Sequence, residues 1–184
     1  FTATTSFTNG RGGLHGGPVY NGYLLIVAGY SGATSDISYS DIQYAKIDPA
    51  GELQPFASAG TSFATARSNF ATATYNGYLY VMGGDNGGST RYQDIQYTKL
   101  TSTGTYSNPG CGTVWCTTTN MPVARAFIQA VPYNGYMYLS GGNSLGGNFQ
   151  TIHYAVINSN GTIGSWTSTN AYSGSNVNYG FEES

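Results

Sequence analysis

The decapeptide YNGYLYVMGG, residues 75–84, has two close copies elsewhere in this chain of 184 residues. One copy is YNGYLLIVAG at residues 20–29, and the other is YNGYMYLSGG at residues 133–142. Self-similarity at a period of tens of residues is typical of repeat proteins, whose stacked units bury one continuous core. The sequence therefore predicts a repeat architecture.

Each repeat unit reads as four short strands. Its Asn-Gly pair, which begins at Asn21, Asn76 and Asn134, predicts a two-residue hairpin because type I′ turns need positive φ at both central positions. In the middle unit a strand over 78–82 follows the turn, a third strand covers 94–100, and a fourth begins at the next Trp or Phe. Four antiparallel strands in one unit are typical of a β-propeller blade.

Further marks recur in the units: a glycine doublet that ends strand two, a Tyr within strand three, an aromatic residue that starts strand four, and an Arg that ends it. They are Gly83-Gly84 and Gly141-Gly142; Tyr44, Tyr97 and Tyr154; Trp115 and Trp166; and Arg67 and Arg125. The units resemble kelch repeats in these marks. Ala28 in the first doublet and Phe56 in place of a Trp are departures.

The resemblance implies an all-β propeller of kelch-like blades, with three full blades and partial blades at both ends. We expect strand four of a preceding blade at 1–11, blades at 12–66, 67–124 and 125–174, and a further start or tail at 175–184. A closed propeller needs four to eight blades. We therefore expect a piece of a longer polypeptide. Two copies of the chain, giving six blades, are the alternative.

The recurring residues are expected to be structural, since a residue that appears once in every blade serves blade packing. The glycine doublet allows backbone conformations in which a Cβ would clash. The Tyr and Trp rings are expected to fill the space between blades and to hydrogen-bond to backbone. The Arg is expected to brace the crossing to the next blade against a carbonyl or a carboxylate.

Residues outside the recurring pattern are the candidates for ligand binding, because function concentrates in variable loops on a rigid scaffold. The loops between strands two and three are rich in Tyr, Asn, Asp and Gly, which suit protein or sugar contacts. A solvated loop with no function is the alternative for each residue. The candidates are Asp36, Tyr39, Asp85, Asn86, Arg91, Tyr92 and Asn143.

Composition narrows the function classes. Six Lys and Arg against eight Asp and Glu leave a net charge of -2, with no basic patch for nucleic acid. No apolar run approaches the roughly 20 residues of a membrane-spanning helix. No catalytic motif occurs, and His15 and His153 belong to different strands. We expect no catalytic residues, no cofactor and no metal.

The two cysteines lie in the stretch CGTVWC, at Cys111 and Cys116. A local disulfide is expected if the chain works in an oxidising compartment, and two reduced thiols are the alternative. Together with a surface rich in Ser, Thr, Asn and Gly, the pair favours an extracellular or cell-surface protein.

These observations favour a non-enzymatic module for binding protein or glycan, or for scaffolding. Its partners would be the remaining blades or another copy of the chain, and a protein or glycan ligand. Two alternatives stay open. One is a propeller domain of a larger enzyme, an oxidase or a glycan-active enzyme, whose catalytic residues lie outside this chain. The other is a structural subunit of a surface layer or filament.

Overall fold

The fold is all-β. The computed structural model describes residues 6–14, 17–32 and 38–169, and it has no helix among them. Fourteen strands within this part of the chain form three antiparallel sheets, each of which corresponds to one repeat unit. We call them blade 1, blade 2 and blade 3. The predicted all-β class, built of antiparallel blade-like sheets, is confirmed.

Blade 1 contains β1 (Val19–Tyr20), β2 (Tyr23–Val27), β3 (Asp41–Lys46) and β4 (Ala57–Ser62), paired in that order. Consecutive strands are antiparallel neighbours throughout. The sheet is a meander, in which each strand pairs with the next one along the chain.

Blade 2 contains β5 (Ala71–Tyr75), β6 (Tyr78–Met82), β7 (Ile95–Leu100), β8 (Tyr106–Ser107) and β9 (Cys116–Thr118). Both β8 and β9 pair with β7, so the fourth strand of the predicted blade is split by a loop that contains Cys111 and ends at Cys116, the first residue of β9.

Blade 3 contains β10 (Ala126–Tyr133), β11 (Tyr136–Ser144), β12 (Gly147–Asn148), β13 (His153–Val156) and β14 (Thr167–Ser168). Strand β12 pairs with the end of β11 as a small hairpin. The other four strands repeat the order of blade 1.

The predicted Asn-Gly hairpins are present in all three blades. Asn21, Asn76 and Asn134 have φ of 47°, 46° and 47°, and the glycine after each one is also at positive φ. The three tyrosines of the third strands hold one register. Tyr44 lies opposite Leu25, Tyr97 opposite Tyr80, and Tyr154 opposite Tyr138, as the sequence alignment of the units requires.

The two ends of the described chain differ from each other. Strand β14 pairs with β13, which matches the pairing expected for residues 166–174 as far as residue 169; residues 170–174 lie outside the described part. Residues 6–11, expected to be strand four of a preceding blade, form no strand. Both edges of β3 are already paired, so Thr8 contacts that strand through the Gln43 side chain. Residues 1–5 are outside the described part.

The core lies between the blades. Between blades 1 and 2 it is built from side chains that include Leu25, Ile42, Phe63, Phe70 and Leu79. Between blades 2 and 3 it includes Tyr80, Met82, Ile128, Met137 and Leu139. Each sheet is therefore covered by its neighbour in the chain.

The tryptophans differ from the expectation in one respect. Trp115 packs edge-on against Phe63, with ring centroids 5.4 Å apart, and stacks with Tyr106. The buried indole N–H groups of Trp115 and Trp166 have no hydrogen-bond partner among the described residues. The expected backbone bonds come instead from tyrosines: Tyr80 donates to the carbonyl of Gly161, and Tyr75 accepts from the Gly135 amide.

Candidate functional site

A buried arginine fixes the start of each blade. In blade 2, Arg67 is fully buried and forms a two-pronged ion pair with Asp94, at 2.9 and 2.8 Å. It also donates to the carbonyl of Gly83. Burial alone would raise the pKa of Asp94, but the hydrogen bonds and the charge of Arg67 outweigh it and hold that pKa below its usual value.

Blade 1 repeats this arrangement. Arg11 pairs with both carboxylate oxygens of Asp41 and donates to the carbonyl of Ala28. Blade 3 does not, because Thr151 stands where the aspartate would be. Fully buried Arg125 donates to the carbonyl of Gly141 and, at 3.0 Å, to Nδ1 of His153.

A ladder of backbone bonds links the residues two positions after these arginines. The amide of Phe127 donates to the carbonyl of Asn69, and the amide of Asn69 donates to the carbonyl of Gly13. All three residues have positive φ: 63° for Gly13, 54° for Asn69 and 57° for Phe127. Gly and Asn tolerate this region, but for a bulky side chain such as Phe it is an outlier.

An open cavity of about 310 Å³ lies where the three blades meet. Blade 1 contributes Tyr30, blade 3 contributes Phe127, and blade 2 contributes Ser68, Asn69, Asp85, Arg91 and the backbone of residues 87–88. We call it the inter-blade cavity. Tyr30, Asp85 and Asn143 each follow the second glycine, or its equivalent, of their unit, so these residues occupy one repeat position with a different side chain in every blade.

Asp85 is the buried centre of the cavity wall. Its carboxylate accepts hydrogen bonds from the Ser68 hydroxyl, the Asn69 amide, the Gly87 backbone N–H and Arg91. Through these four hydrogen bonds, Asp85 fixes the loop that follows it. It shapes the cavity and has no lone pair left over for proton transfer to a ligand.

Arg91 joins two blades at the rim of the cavity. It pairs with Asp85 at 3.1 Å, donates to Oδ1 of Asn143 in blade 3 at 3.3 Å, and bonds the carbonyl of Gly88. Its guanidinium lies 5.9 Å from the centre of the Phe127 ring. Arg91 also borders a second open cavity of about 340 Å³, lined by Val123, Leu145 and their neighbours.

A family model described as Kelch motif matches residues 66–97. That segment contains the ion pair of Arg67 with Asp94, the doublet Gly83-Gly84 and Asp85 with Arg91. Blades 1 and 3 repeat its strand order and turns. Residues 66–97 therefore carry a kelch motif. No curated protein matches the chain. Kelch repeats generally mediate protein interactions, and the kelch-type fold of the blades suggests a protein-binding or scaffold module.

The structure brings some of the predicted kelch loop residues together and separates others. Asp85 and Arg91 line the inter-blade cavity, and Arg91 links Asp85 to Asn143 by hydrogen bonds to both. Asn86 caps its own loop, accepting from the amides of Gly88 and Thr90. Asp36 lies outside the described residues.

Tyr39 and Tyr92 occupy equivalent places beneath the repeated arginines. The guanidinium of Arg11 lies 4.4 Å from the centre of the Tyr39 ring, and that of Arg67 lies 4.6 Å from the Tyr92 ring. These cation–π contacts take up one ring face of each tyrosine. Both tyrosines therefore pack on the buried arginine at the start of a blade, which together with its aspartate we call the arginine brace, and they do not line the cavity.

Sequence reasoning missed Tyr30, Asn69 and Phe127 as cavity residues. A signal for two of them was present, since Asn69 and Phe127 each stand two residues after a repeated arginine, where the first unit has Gly13. A position that holds Gly, Asn and Phe in successive repeats is not conserved for packing. Comparing units column by column, rather than reading only the glycine-rich loops, would have found it.

Cys111, in the loop between β8 and β9, forms a disulfide with Cys116, the first residue of β9, and their Cα atoms are 6.0 Å apart. Within the described part of the chain, no helix has the length and hydrophobicity needed to cross a membrane.

Proposed function

We propose that this chain is a non-enzymatic extracellular or cell-surface module that binds a protein or glycan ligand at the inter-blade cavity. The observation that carries the proposal is the convergence there of side chains that differ between repeats. Tyr30, Arg91 and Phe127 come from three different blades and line one cavity. Packing explains residues that recur in every blade, and it does not explain these.

The chemistry of the cavity favours a polar, uncharged ligand group. The charge of Arg91 is neutralised by Asp85 at 3.1 Å. The Phe127 side chain is partly exposed and offers an aromatic face. An aromatic surface beside amide and guanidinium donors suits a sugar ring or the backbone and side chains of a peptide. A polyanion would require unpaired cations.

Acid/base catalysis is less well supported than binding. Asp85 is the one carboxylate among the described residues that line the cavity, and four donors already occupy its oxygens. Glycoside hydrolysis, for comparison, usually requires a pair of carboxyl groups across the scissile bond. The disulfide between Cys111 and Cys116 supports the extracellular location, because such bonds persist mainly in oxidising compartments.

The test is a screen of the purified chain against arrays of glycans and peptides. Hits are then measured with Arg91→Ala, Phe127→Asn and the control Lys46→Ala, which removes an exposed cation from blade 1. We expect the two cavity variants to weaken a true ligand about tenfold or more, as for central contact residues, and the control to bind unchanged.

Two results would contradict the proposal. One is a ligand whose affinity survives both cavity substitutions in chains that remain folded by circular dichroism. The other is chemical turnover of a hit by the wild-type chain, which would favour an enzyme. The remaining partners in this proposal are further blades or another copy of the chain, which would complete the ring.

A further inference from the structure

In the described part of the chain, the outer face of blade 3 exposes apolar side chains. Val131 is 58% exposed, Tyr133 70%, Tyr136 36% and Val156 45%. These residues lie on one side of β10, β11 and β13, where Val131 is opposite Tyr138 and Tyr136 is opposite Val156. We call this surface the tyrosine face. Its members, read from the strand registers, are Gln129, Val131, Tyr133, Tyr136, Tyr138, Ser140, Tyr154 and Val156, and none carries a charge.

The equivalent side chains of blade 2 are buried. Ala73, which stands at the position of Val131, is 5% exposed, and Tyr78, at the position of Tyr136, is 7% exposed. The difference arises because blade 3 covers that side of blade 2, through the core of Tyr80, Met137 and their neighbours. The tyrosine face is therefore a blade-binding surface without a blade on it in the described structure.

Blade 3 contacts blade 2 with a specific turn, residues 158–163. Tyr80 donates a 2.9 Å hydrogen bond to the carbonyl of Gly161. A Cβ on Gly161 would lie 2.6 Å from the Tyr78 ring, so only glycine allows this approach. The turn after the third strand thus inserts its glycine against the first tyrosine of the preceding blade.

Blade 2 uses the same contact on blade 1. A Cβ on Gly104 would lie 2.8 Å from the Tyr23 ring, and Asn21 donates to the carbonyl of Ser102 in the same turn. Two successive interfaces therefore share one design, in which a glycine turn meets a tyrosine.

Blade 1 carries the third copy of this turn, at residues 48–53. Its Gly51, with φ of 85°, faces open space, since a Cβ at this position would have no other atom within 4 Å. On the same face of the two blades, Leu24 and Ile26 of blade 1 are only partly buried, whereas their equivalents in blade 2, Leu79 and Val81, are fully buried. Blade 1 thus presents the inserting half of the contact, and blade 3 presents the receiving half.

We propose that the tyrosine face of blade 3 binds the 48–53 turn of blade 1 in a second copy of this chain, with Gly51 against Tyr136. A second copy is the occupant because this chain itself displays both halves of an interface that it builds twice internally. The contact is head-to-tail, and such contacts close into rings when the rotation allows it. Two copies would supply six blades, within the usual range for propellers.

The test compares the molar mass of the chain in solution with that of matched variants, by light scattering and sedimentation. We expect wild type to reach at least twice the mass of one chain. Gly51→Asn should be monomeric, because Asn tolerates positive φ but its side chain would clash with Tyr136. Val131→Lys should also be monomeric, because it places a charge on the tyrosine face. Gly112→Asn, another exposed glycine with positive φ and open space around it, is the control and should behave as wild type.

Mixing the two interface variants tests the head-to-tail geometry. The Gly51→Asn chain keeps an intact tyrosine face, and the Val131→Lys chain keeps an intact turn, so an equimolar mixture should form a pair held by one interface. Two results would overturn the proposal. One is a wild-type chain that stays monomeric at about 1 mM, a concentration at which even an association with a Kd of about 1 mM is substantially formed. The other is an assembly that Gly51→Asn leaves intact.

Discussion

Arg125 donates to Nδ1 of His153 across 3.0 Å, at the place where Arg11 and Arg67 each meet an aspartate. An arginine can only donate, so Nδ1 must accept and His153 is held as the neutral tautomer with its proton on Nε2. Blade 3 therefore keeps the repeated buried arginine but lacks its counter-charge. Burial of this guanidinium lowers the pKa of Arg125 to about 10.

Restoring the missing carboxylate should stabilise blade 3. Thr151→Asp together with His153→Gln recreates the Asp-Ile-Gln sequence that precedes the third-strand Tyr in blades 1 and 2. We expect the free energy of unfolding to rise by about 1.5–3 kcal/mol, since hydrogen bonds to a charged group contribute about that much. Chemical denaturation measures it. Thr151→Ser is the matched control, and an equal gain in that variant would contradict the ion-pair explanation.

The neutral His153 should make stability depend on pH. Burial, and then the charge of Arg125, lower the pKa of His153 below its ordinary value of 6.5. The unfolded chain therefore binds the proton first, so the stability contribution is present above pH 6.5 and is lost as the pH falls through the folded pKa. Unfolding measured from pH 7.5 downward should show this loss, and His153→Gln should remove that part of it. An unchanged pH profile in the variant would count against the contact.

Removing a carboxylate from blade 2 should be costly. Asp94→Asn leaves fully buried Arg67 without its counter-charge, and breaking such a pair costs about 3–5 kcal/mol. Because the Asp94 side chain is 28% exposed, we expect a loss near the lower end of that range. Asn108→Asp, the reverse exchange at an exposed turn, is the control, since Oδ1 of Asn108 accepts turn amides that an Asp can also serve. Asp94→Asn should melt at a clearly lower temperature than the control. Similar melting temperatures would show that the ion pair of Arg67 with Asp94 is not important for stability.

Phe127 should lower the stability of the chain, because its backbone is strained, while its ring serves ligand binding at the cavity. Phe127→Asn places at φ 57° a residue type that tolerates this region, as Asn69 does in the preceding blade. We expect unfolding to require about 1 kcal/mol more, because backbone strain of this kind costs about 1–3 kcal/mol. Phe127→Leu keeps the strain and should show no gain. If the Asn variant is the less stable of the two in urea, the ring is a packing residue and its placement at the cavity needs no functional explanation.

The sequence predicted the blades better than the site. The repeated motifs predicted the fold, because an Asn-Gly pair favours a hairpin and the glycine doublet of blade 2 leaves no room for a side chain. A Cβ on Gly84 would lie 2.5 Å from the backbone oxygen of Ser68. The site was harder to predict because its residues are those that break the repeat. Arg91 and Asn143 were found as loop residues. Tyr39 and Tyr92 looked alike in sequence, yet their rings pack on arginines that are distant in the chain.

The assignment of the two ends of the pattern to partial blades stays a prediction. Residues 6–11 carry the composition of a fourth strand, but a strand forms only where a neighbour offers an unpaired edge. Blade 1 offers none at β3, and the segment is held by Arg11 and Gln43 side-chain bonds instead. Local sequence does not report which edges the rest of the molecule leaves open.

The most direct test of the central claim is a crystal structure of the chain with the tightest ligand from the array screen. The account predicts that the ligand lies in the inter-blade cavity, against the Phe127 ring and within hydrogen-bond distance of Arg91 or Asn69. A ligand bound on the tyrosine face of blade 3, or anywhere that leaves Phe127 and Arg91 without contact, would contradict the claim that this cavity is the binding site.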